Sequence, residues 1–349
     1  MPAAAHRRRS GLQAAIVALL VATTLVVPHR NADAAPGQLT PVTGFGSNPG
    51  NLLMFEWIPA DLPPNAPVVV VLHGCFASAA LYDDETGWTM LADRWNVALV
   101  FPQQSAANEP TNCFSWWKTE DHTRGQGEAL SVKQMVDWMH ANRGTDPKRV
   151  YVMGHSGGGL FTSVMLATYP DVFRAGAIVA GGPYKCGDEG PVQIGPHESK
   201  PFLRGGECVD GSVDRSAEEW GDLARGGFPG HRGPKPRVSI WHGSADTMVT
   251  PKNLRELVEQ WTNYHGIDRT PDISDTVKGY PHQVFEDGAG NALVESYELT
   301  GRGHGWSIDP GTAEDQCNGR LPSADYDICV AYHAGRWFHL DKRARGPRG

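Results

Sequence analysis

Gly154-His155-Ser156-Gly157-Gly158 places a serine between glycines in the pattern G-x-S-x-G. A serine hydroxyl held on a sharp strand-to-helix turn can attack an acyl carbon once a base takes its proton. The glycines would have a steric purpose, because such a turn strains the serine backbone and side chains beside it would collide with the adjacent strand and helix. The bland alternative is a glycine-rich turn with an idle serine. A phosphate-binding loop fits worse, since no Lys follows and the glycine spacing is wrong. The partners of such a serine follow it in the order acid, then His. Asp246 stands in the loop after Val238-Ser239-Ile240-Trp241, and His304 sits between Gly303 and Gly305 after a strand-like run at 292–299. Alone, Asp246 would be a turn residue and His304 a surface residue. Their joint order makes them the candidate acid and base for Ser156. The oxyanion formed on attack needs two backbone N–H groups. Gly157 supplies one, at the positive end of the following helix. Leu72-His73-Gly74-Cys75 ends an early strand and points to Cys75 for the other, with Phe76 as the alternative. His73 itself reads best as a satisfied core histidine.

These residues need a scaffold that delivers them to one edge. Apolar runs at 67–72, 97–101, 149–153, 175–180 and 238–241 read as strands buried on both faces. Helical patterns at 86–95, 128–142, 158–169 and 251–264 lie between them. In the second of these, Leu130, Val132, Met135, Val136 and Met139 fall near one face. Alternation of this kind predicts an α/β fold with a mostly parallel sheet and helices on both faces. Asp246 would then lie just past the C-terminal end of its strand, where such sheets place catalytic groups. No repeat or linker divides the chain, and 182–236 reads as a loop-rich elaboration.

The 349 residues carry 31 Lys+Arg against 39 Asp+Glu, a net charge of −8, with 40% hydrophobic residues and 11 Trp. That composition argues for a folded protein and against disorder. The acidic balance argues against nucleic acid as a partner. Arg7-Arg8-Arg9, an apolar run over 12–27 and Ala32-Asp33-Ala34 have the layout of a secretory signal peptide over 1–34, cut after Ala34. The run is short for a membrane anchor. Its removal takes four Arg and one Asp, so the net charge of residues 35–349, read as one catalytic domain, becomes −11. Export also changes the cysteines. Cys75, Cys113, Cys186, Cys208, Cys317 and Cys329 are even in number and predict three disulfides. None has zinc-site spacing, so no metal is expected. Six cysteines allow fifteen pairings. Separation favours Cys186–Cys208 and Cys317–Cys329, which leaves Cys75 with Cys113.

Taken together, His73-Gly74-Cys75, Thr111-Asn112-Cys113-Phe114-Ser115-Trp116-Trp117, Arg124-Gly125-Gln126-Gly127-Glu128, 154–158, Gly181-Gly182-Pro183-Tyr184, Trp241-His242-Gly243, Asp246 and Gly303-His304-Gly305-Trp306 resemble the poly(3-hydroxybutyrate) depolymerase-type esterases. These are grouped with secreted acetylxylan and feruloyl esterases in the α/β-hydrolase superfamily. The resemblance runs through nearly all of 35–349. It implies Ser156 as nucleophile, Asp246 and His304 as its relay, and Cys75 and Gly157 as oxyanion donors, with no cofactor. It also supports a Cys75–Cys113 bridge that pins the oxyanion loop to the segment bearing Trp116 and Trp117. Polymer-degrading members often carry a linker and a binding module after the catalytic domain, whereas here a basic stretch (342–348) follows His339. That departure shifts the expectation from crystalline polyester toward soluble oligoesters or acylated plant polysaccharide. Trp116 and Trp306 are expected to form an aromatic subsite, with core packing as the alternative. A rival from another class is a catalytically silent hydrolase that binds carbohydrate or protein, against which stand the three triad residues. A peptidase is disfavoured because nothing suggests a propeller or a clamp for peptide ends.

Overall fold

Val68–Leu72 has no polar alternation, so it must be a strand covered on both sides. All five of its residues are fully buried. Beyond Met1, the computed structural model describes residues 37–187, 206–319 and 324–341. The strands are β1 (Thr40–Val42), β2 (Leu53–Trp57), β3 (Val68–Leu72), β4 (Ala98–Gln103), β5 (Val150–His155), β6 (Ala175–Val179), β7 (Arg237–Gly243), β8 (Ile273–Val277), β9 (Tyr280–Glu286), β10 (Ala292–Leu299), β11 (Ser307–Ile308) and β12 (Ala324–Asp325). The helices are α1 (Ala79–Glu85), α2 (Trp88–Trp95), α3 (Gly127–Arg143), α4 (Gly157–Thr168), α5 (Gly206–Asp210), α6 (Ala217–Gly226), α7 (Lys252–His265) and α8 (Val330–Trp337).

Ten strands form one sheet in the order β1-β2-β4-β3-β5-β6-β7-β10-β9-β8. The six from β4 to β10 in that order are parallel, and antiparallel strands extend both edges. Alternate residues of the central strands feed two cores. Val68, Val70, Val152 and Ile240 pack with Val132 and Met135 of α3, Phe161 and Met165 of α4, and Leu257 and Trp261 of α7. Val69, Val71, Met153 and Trp241 pack on the other face with Trp88 and Leu91 of α2 and Val330 and Ala331 of α8. Helices therefore cover both faces, as the alternation predicts. Because the strands are parallel, the loops leaving their C-terminal ends gather at one rim, and Ser156, Asp246 and His304 all lie in such loops.

The differences from the sequence reading have local causes. Gly87 takes a left-handed φ of 73° as the N-cap of α2, so the helix expected at 86–95 starts at Trp88, and α1 precedes it where no helix is expected. On α3, Leu130 is only half-buried, while Glu128 and Ser131 join the buried face. The stretch 182–236 contains α5 and α6. The latter begins with a reciprocal capping box, Ser216 with Glu219, which is a readable start signal. The edge pair β8–β9 turns through Lys278 (φ 52°) and Gly279 (φ 85°), and β8 is almost wholly exposed. A strand without a buried face leaves no alternation to read. The residues described from 37 onward belong to one compact unit. The expected signal peptide over 1–34, Met1 apart, and the basic stretch at 342–348 lie outside the described residues. No helix among the described residues is long and apolar enough to cross a membrane.

Candidate active site

The turn between β5 and α4 fixes Ser156 at φ 58° and ψ −122°, a conformation costly for any residue with a Cβ. Its N–H is tied to the Val179 carbonyl at 2.9 Å, and its carbonyl starts α4 by accepting from Leu160. The flanking glycines are sterically required. A Cβ on Gly154 would lie 2.3 Å from the Gly158 carbonyl oxygen, and one on Gly158 would lie 2.3 Å from that of Leu72. Neither contact can be relieved by turning a side chain, since both are with backbone.

Opposite the turn, β3 is followed by His73-Gly74-Cys75. A Cβ on Gly157 would come 3.5 Å from the Cys75 nitrogen, so the first residue of α4 and the Cys75 amide face each other closely. Phe76 donates its N–H to the Thr111 carbonyl at 2.6 Å and is thereby spent, whereas the Cys75 N–H has no backbone acceptor among the described residues. Of the two alternatives for the second donor, Cys75 is the one left available. The Gln104 N–H reaches His73 Nε2 at 3.1 Å, so the ring proton sits on Nδ1, which faces the Gly74 carbonyl at 2.7 Å. His73 is thus a satisfied core histidine that props the segment after β3. Burial, against the Gly74 hydrogen bond, lowers it to about 4.

The loop is pinned below by the expected Cys75–Cys113 disulfide. Glu109 accepts from the Thr111 N–H and hydroxyl and from the Cys113 N–H. Glu128, buried in α3, accepts from the Gln104 amide at 2.5 Å and the Ser115 N–H at 2.8 Å. Burial and the neighbouring Asp121 push its carboxyl up to about 8. The other two bridges are Cys186–Cys208 and Cys317–Cys329, the pairing that separation favours.

Asp246 follows β7 in a tight turn. Its Oδ1 accepts from the Met248 and Val249 N–H groups at 2.8 and 2.9 Å. Its Oδ2 meets His304 Nδ1 at 2.7 Å and His242 Nε2 at 3.4 Å. A carboxylate only accepts, so His304 carries its proton on Nδ1 and leaves Nε2 free to act as a base. Burial alone would raise the Asp246 carboxyl. The hydrogen bonds from His242, His304 and the Val249 N–H outweigh it and hold the group well below the usual carboxylate range. Ala245 N–H to Arg302 O at 2.9 Å and Gly301 N–H to Ser244 Oγ at 2.8 Å lash the two loops together.

The structure thus joins Asp246 to His304 directly. Among the described residues no hydrogen bond joins the Ser156 hydroxyl to His304. The His304 ring instead lies 4.7 Å, centroid to centroid, from that of His155, the residue before Ser156. Such catalytic hydrogen bonds are often long before substrate binds. His155 and His242 are positions to which the sequence gives no role. His155 Nδ1 is 3.0 Å from the Tyr82 hydroxyl, and burial drives its ring toward the neutral form. The variable position in G-x-S-x-G carries no sequence signal for this.

Trp116 and Trp306 are not an open aromatic subsite. Each is 4% exposed. Trp116 packs edge-on against Trp117, and its ring edge lies 3.2 Å from a Cβ position on Gly157. Trp306 packs on Tyr82 and donates to the Thr86 carbonyl at 3.2 Å. Both are walls behind the site, for the reason that makes indoles good core residues, their large apolar area. Among the described residues no cluster of three or more His, Cys, Asp or Glu is arranged to hold a metal ion. A cavity of about 720 Å³ beside α7, lined by Leu254, Val258 and Phe285, includes none of these site residues.

The family described as Esterase PHB depolymerase matches residues 58–188. Poly(3-hydroxyalkanoate) depolymerase C of Paucimonas lemoignei is 50% identical over 303 residues, covering 86% of this chain and 70% of its own. An acetylxylan esterase of Coprinopsis cinerea is 36% identical, over 77% of this chain and 69% of its own. Among solved structures, an acetyl xylan esterase from Aspergillus awamori superposes with a TM-score of 0.70 at 26% identity, covering 87% of this chain and all of that one.

Proposed function

The chain belongs to the poly(3-hydroxybutyrate) depolymerase-type esterases of the α/β-hydrolase fold, and from that premise we propose that it is an exported serine hydrolase acting on hydroxyalkanoate oligoesters through Ser156, His304 and Asp246. The observation that carries the proposal is the 2.7 Å Asp246–His304 hydrogen bond at the rim where the Cys75 nitrogen lies 3.5 Å from a Cβ position on Gly157, the residue after Ser156.

In this reading His304 Nε2 takes the Ser156 proton as Oγ bonds to the ester carbonyl carbon. The negative oxygen lies against the Cys75 and Gly157 N–H groups, each worth about 10²- to 10³-fold in rate. As the carbon–oxygen bond to the alcohol breaks, the imidazolium returns its proton to the leaving oxygen. Water then gives a proton to His304 and attacks the acyl-enzyme, and the acid departs with Ser156 reprotonated. Asp246 stays ionised throughout and fixes the imidazole tautomer.

Polyester-derived oligomers come first because the relative at 50% identity is named for poly(3-hydroxyalkanoate). The overlay on a complete acetyl xylan esterase chain favours acetylated polysaccharide as a second reading. Export through residues 1–34 is supported by the signal-like layout and by three disulfides, which persist in oxidising compartments. The test is p-nitrophenyl acetate hydrolysis by the purified protein and its Ser156→Ala variant. A loss of about 10⁴-fold or more is expected, and equal rates would end the proposal. Hydroxybutyrate oligomers, acetylated xylan and methyl ferulate, assayed side by side, then separate the substrate readings.

A further inference from the structure

Phe76 is 66% exposed, an unusual state for an aromatic side chain. The other large apolar residues open to solvent among the described residues, Met1 aside, are Leu53 on β2 and Ile273 on the edge strand β8. Phe76 alone stands beside the oxyanion loop. Its φ of 60° lies in the left-handed region that bulky residues avoid. The conformation is held from both sides: the Phe76 N–H is bonded to the Thr111 carbonyl, and the preceding residue is bridged to Cys113. With its amide spent, what residue 76 can offer the site is its ring.

We propose that Phe76 is a specificity-determining residue, its ring forming the apolar wall along which the acyl chain of the bound ester lies. The inference rests on the Ser156 reading above. An ester carbonyl whose oxygen meets the Cys75 N–H has its acyl chain leaving within one side-chain length of the next residue, whose Cα is 3.8 Å along the backbone. A ring carried on a braced loop requires no ordering of the backbone when a chain settles on it, so more of its contact energy goes into binding. Aliphatic acyl chains match that surface, and an acetyl group is too short to cover it.

The experiment compares kcat/KM for p-nitrophenyl acetate, butyrate and hexanoate in the wild type, Phe76→Ala, Phe76→Leu and Ser156→Ala proteins. Phe76→Ala is expected to lower the hexanoate-to-acetate ratio about tenfold, the size of one partly buried apolar side chain. Phe76→Leu is expected to restore most of it. An unchanged ratio in Phe76→Ala, or equal losses on all three esters, would overturn the proposal, the latter because it would mark a merely structural loop residue. Undiminished turnover by Ser156→Ala would instead refute the underlying reading, whatever Phe76 does.

Discussion

The two halves of the site are held by different forces. On the β3–β5 side, Ser156 and the Cys75 amide are placed by backbone sterics and covalency, through glycines that admit no Cβ and a disulfide under the loop. On the β7–β10 side, Asp246 and His304 are placed by hydrogen bonds converging on one buried carboxylate. The first half should fail when volume is added or the bridge is cut, and be indifferent to charge. The second should fail when charge is removed at constant volume. Division of labour of this kind suits acyl transfer, where the attacking atom and oxyanion donors must not move but the base must change its proton.

The largest expected effect is on the charged side. Asp246→Asn keeps size but lets the amide donate, which unsettles the Nδ1–H tautomer of His304, and kcat should fall about 10⁴-fold. Steady-state ester hydrolysis measures it; a loss under tenfold would mean that the carboxylate does not govern the imidazole. On the steric side, Gly158→Ala puts a methyl into the Leu72 and His73 carbonyls. Displacing the adjacent Gly157 amide should cost about 10²- to 10³-fold or prevent soluble expression. Gly226→Ala is the contrast: nothing lies within 4 Å of its Cβ position, in the last turn of α6. It should raise stability by about 0.5–1 kcal/mol and leave turnover alone, checked by thermal melting.

Cutting bridges sharpens the same contrast. Cys75 and Cys113 are 38 residues apart and Cys317 and Cys329 are 12 apart, so chain-entropy loss predicts about 4 and 3 kcal/mol of stability respectively. Serine pairs should therefore melt at similar temperatures. Only the Cys75/Cys113 pair should lose turnover, about tenfold or more, because it moves an oxyanion donor.

A further effect is on pH. His73 is buried neutral with its folded pKa lowered to about 4, against 6.5 when unfolded. Below pH 6.5 the unfolded chain takes a proton that the fold refuses. This contribution is thus complete above about 6.5 and lost as pH falls toward 4, about 1–2 kcal/mol between pH 7 and 5. His265 and His333, also lowered to about 4 by burial, act in the same direction. Melting curves of His73→Asn should show a shallower fall over that window.

Much of this was legible in the order of residues. The apolar runs from 67 to 241 mark five of the six parallel strands because strands buried on both faces lose their alternation, and the strand-like run at 292–299 marks the sixth, β10. Ser156, Asp246 and His304 stand out because each ends or follows such a run. The edge strands were not legible, β8 being exposed and β9 carrying Pro281. Nor were His155, His242 and Tyr82, whose roles depend on side chains from β5, β7 and α1 meeting others across the fold. Trp116 and Trp306 misled for a related reason: an indole reads the same in a binding cleft and in the wall behind it, and only burial separates the two.

Covalent trapping tests the nucleophile most directly. Incubation with an alkyl p-nitrophenyl phosphonate, followed by digestion and peptide mass analysis, should place one adduct on Ser156, with none in Ser156→Ala and slow labelling in Asp246→Asn. An adduct on another residue, or labelling of Ser156→Ala at the wild-type rate, would contradict Ser156 as the attacking group.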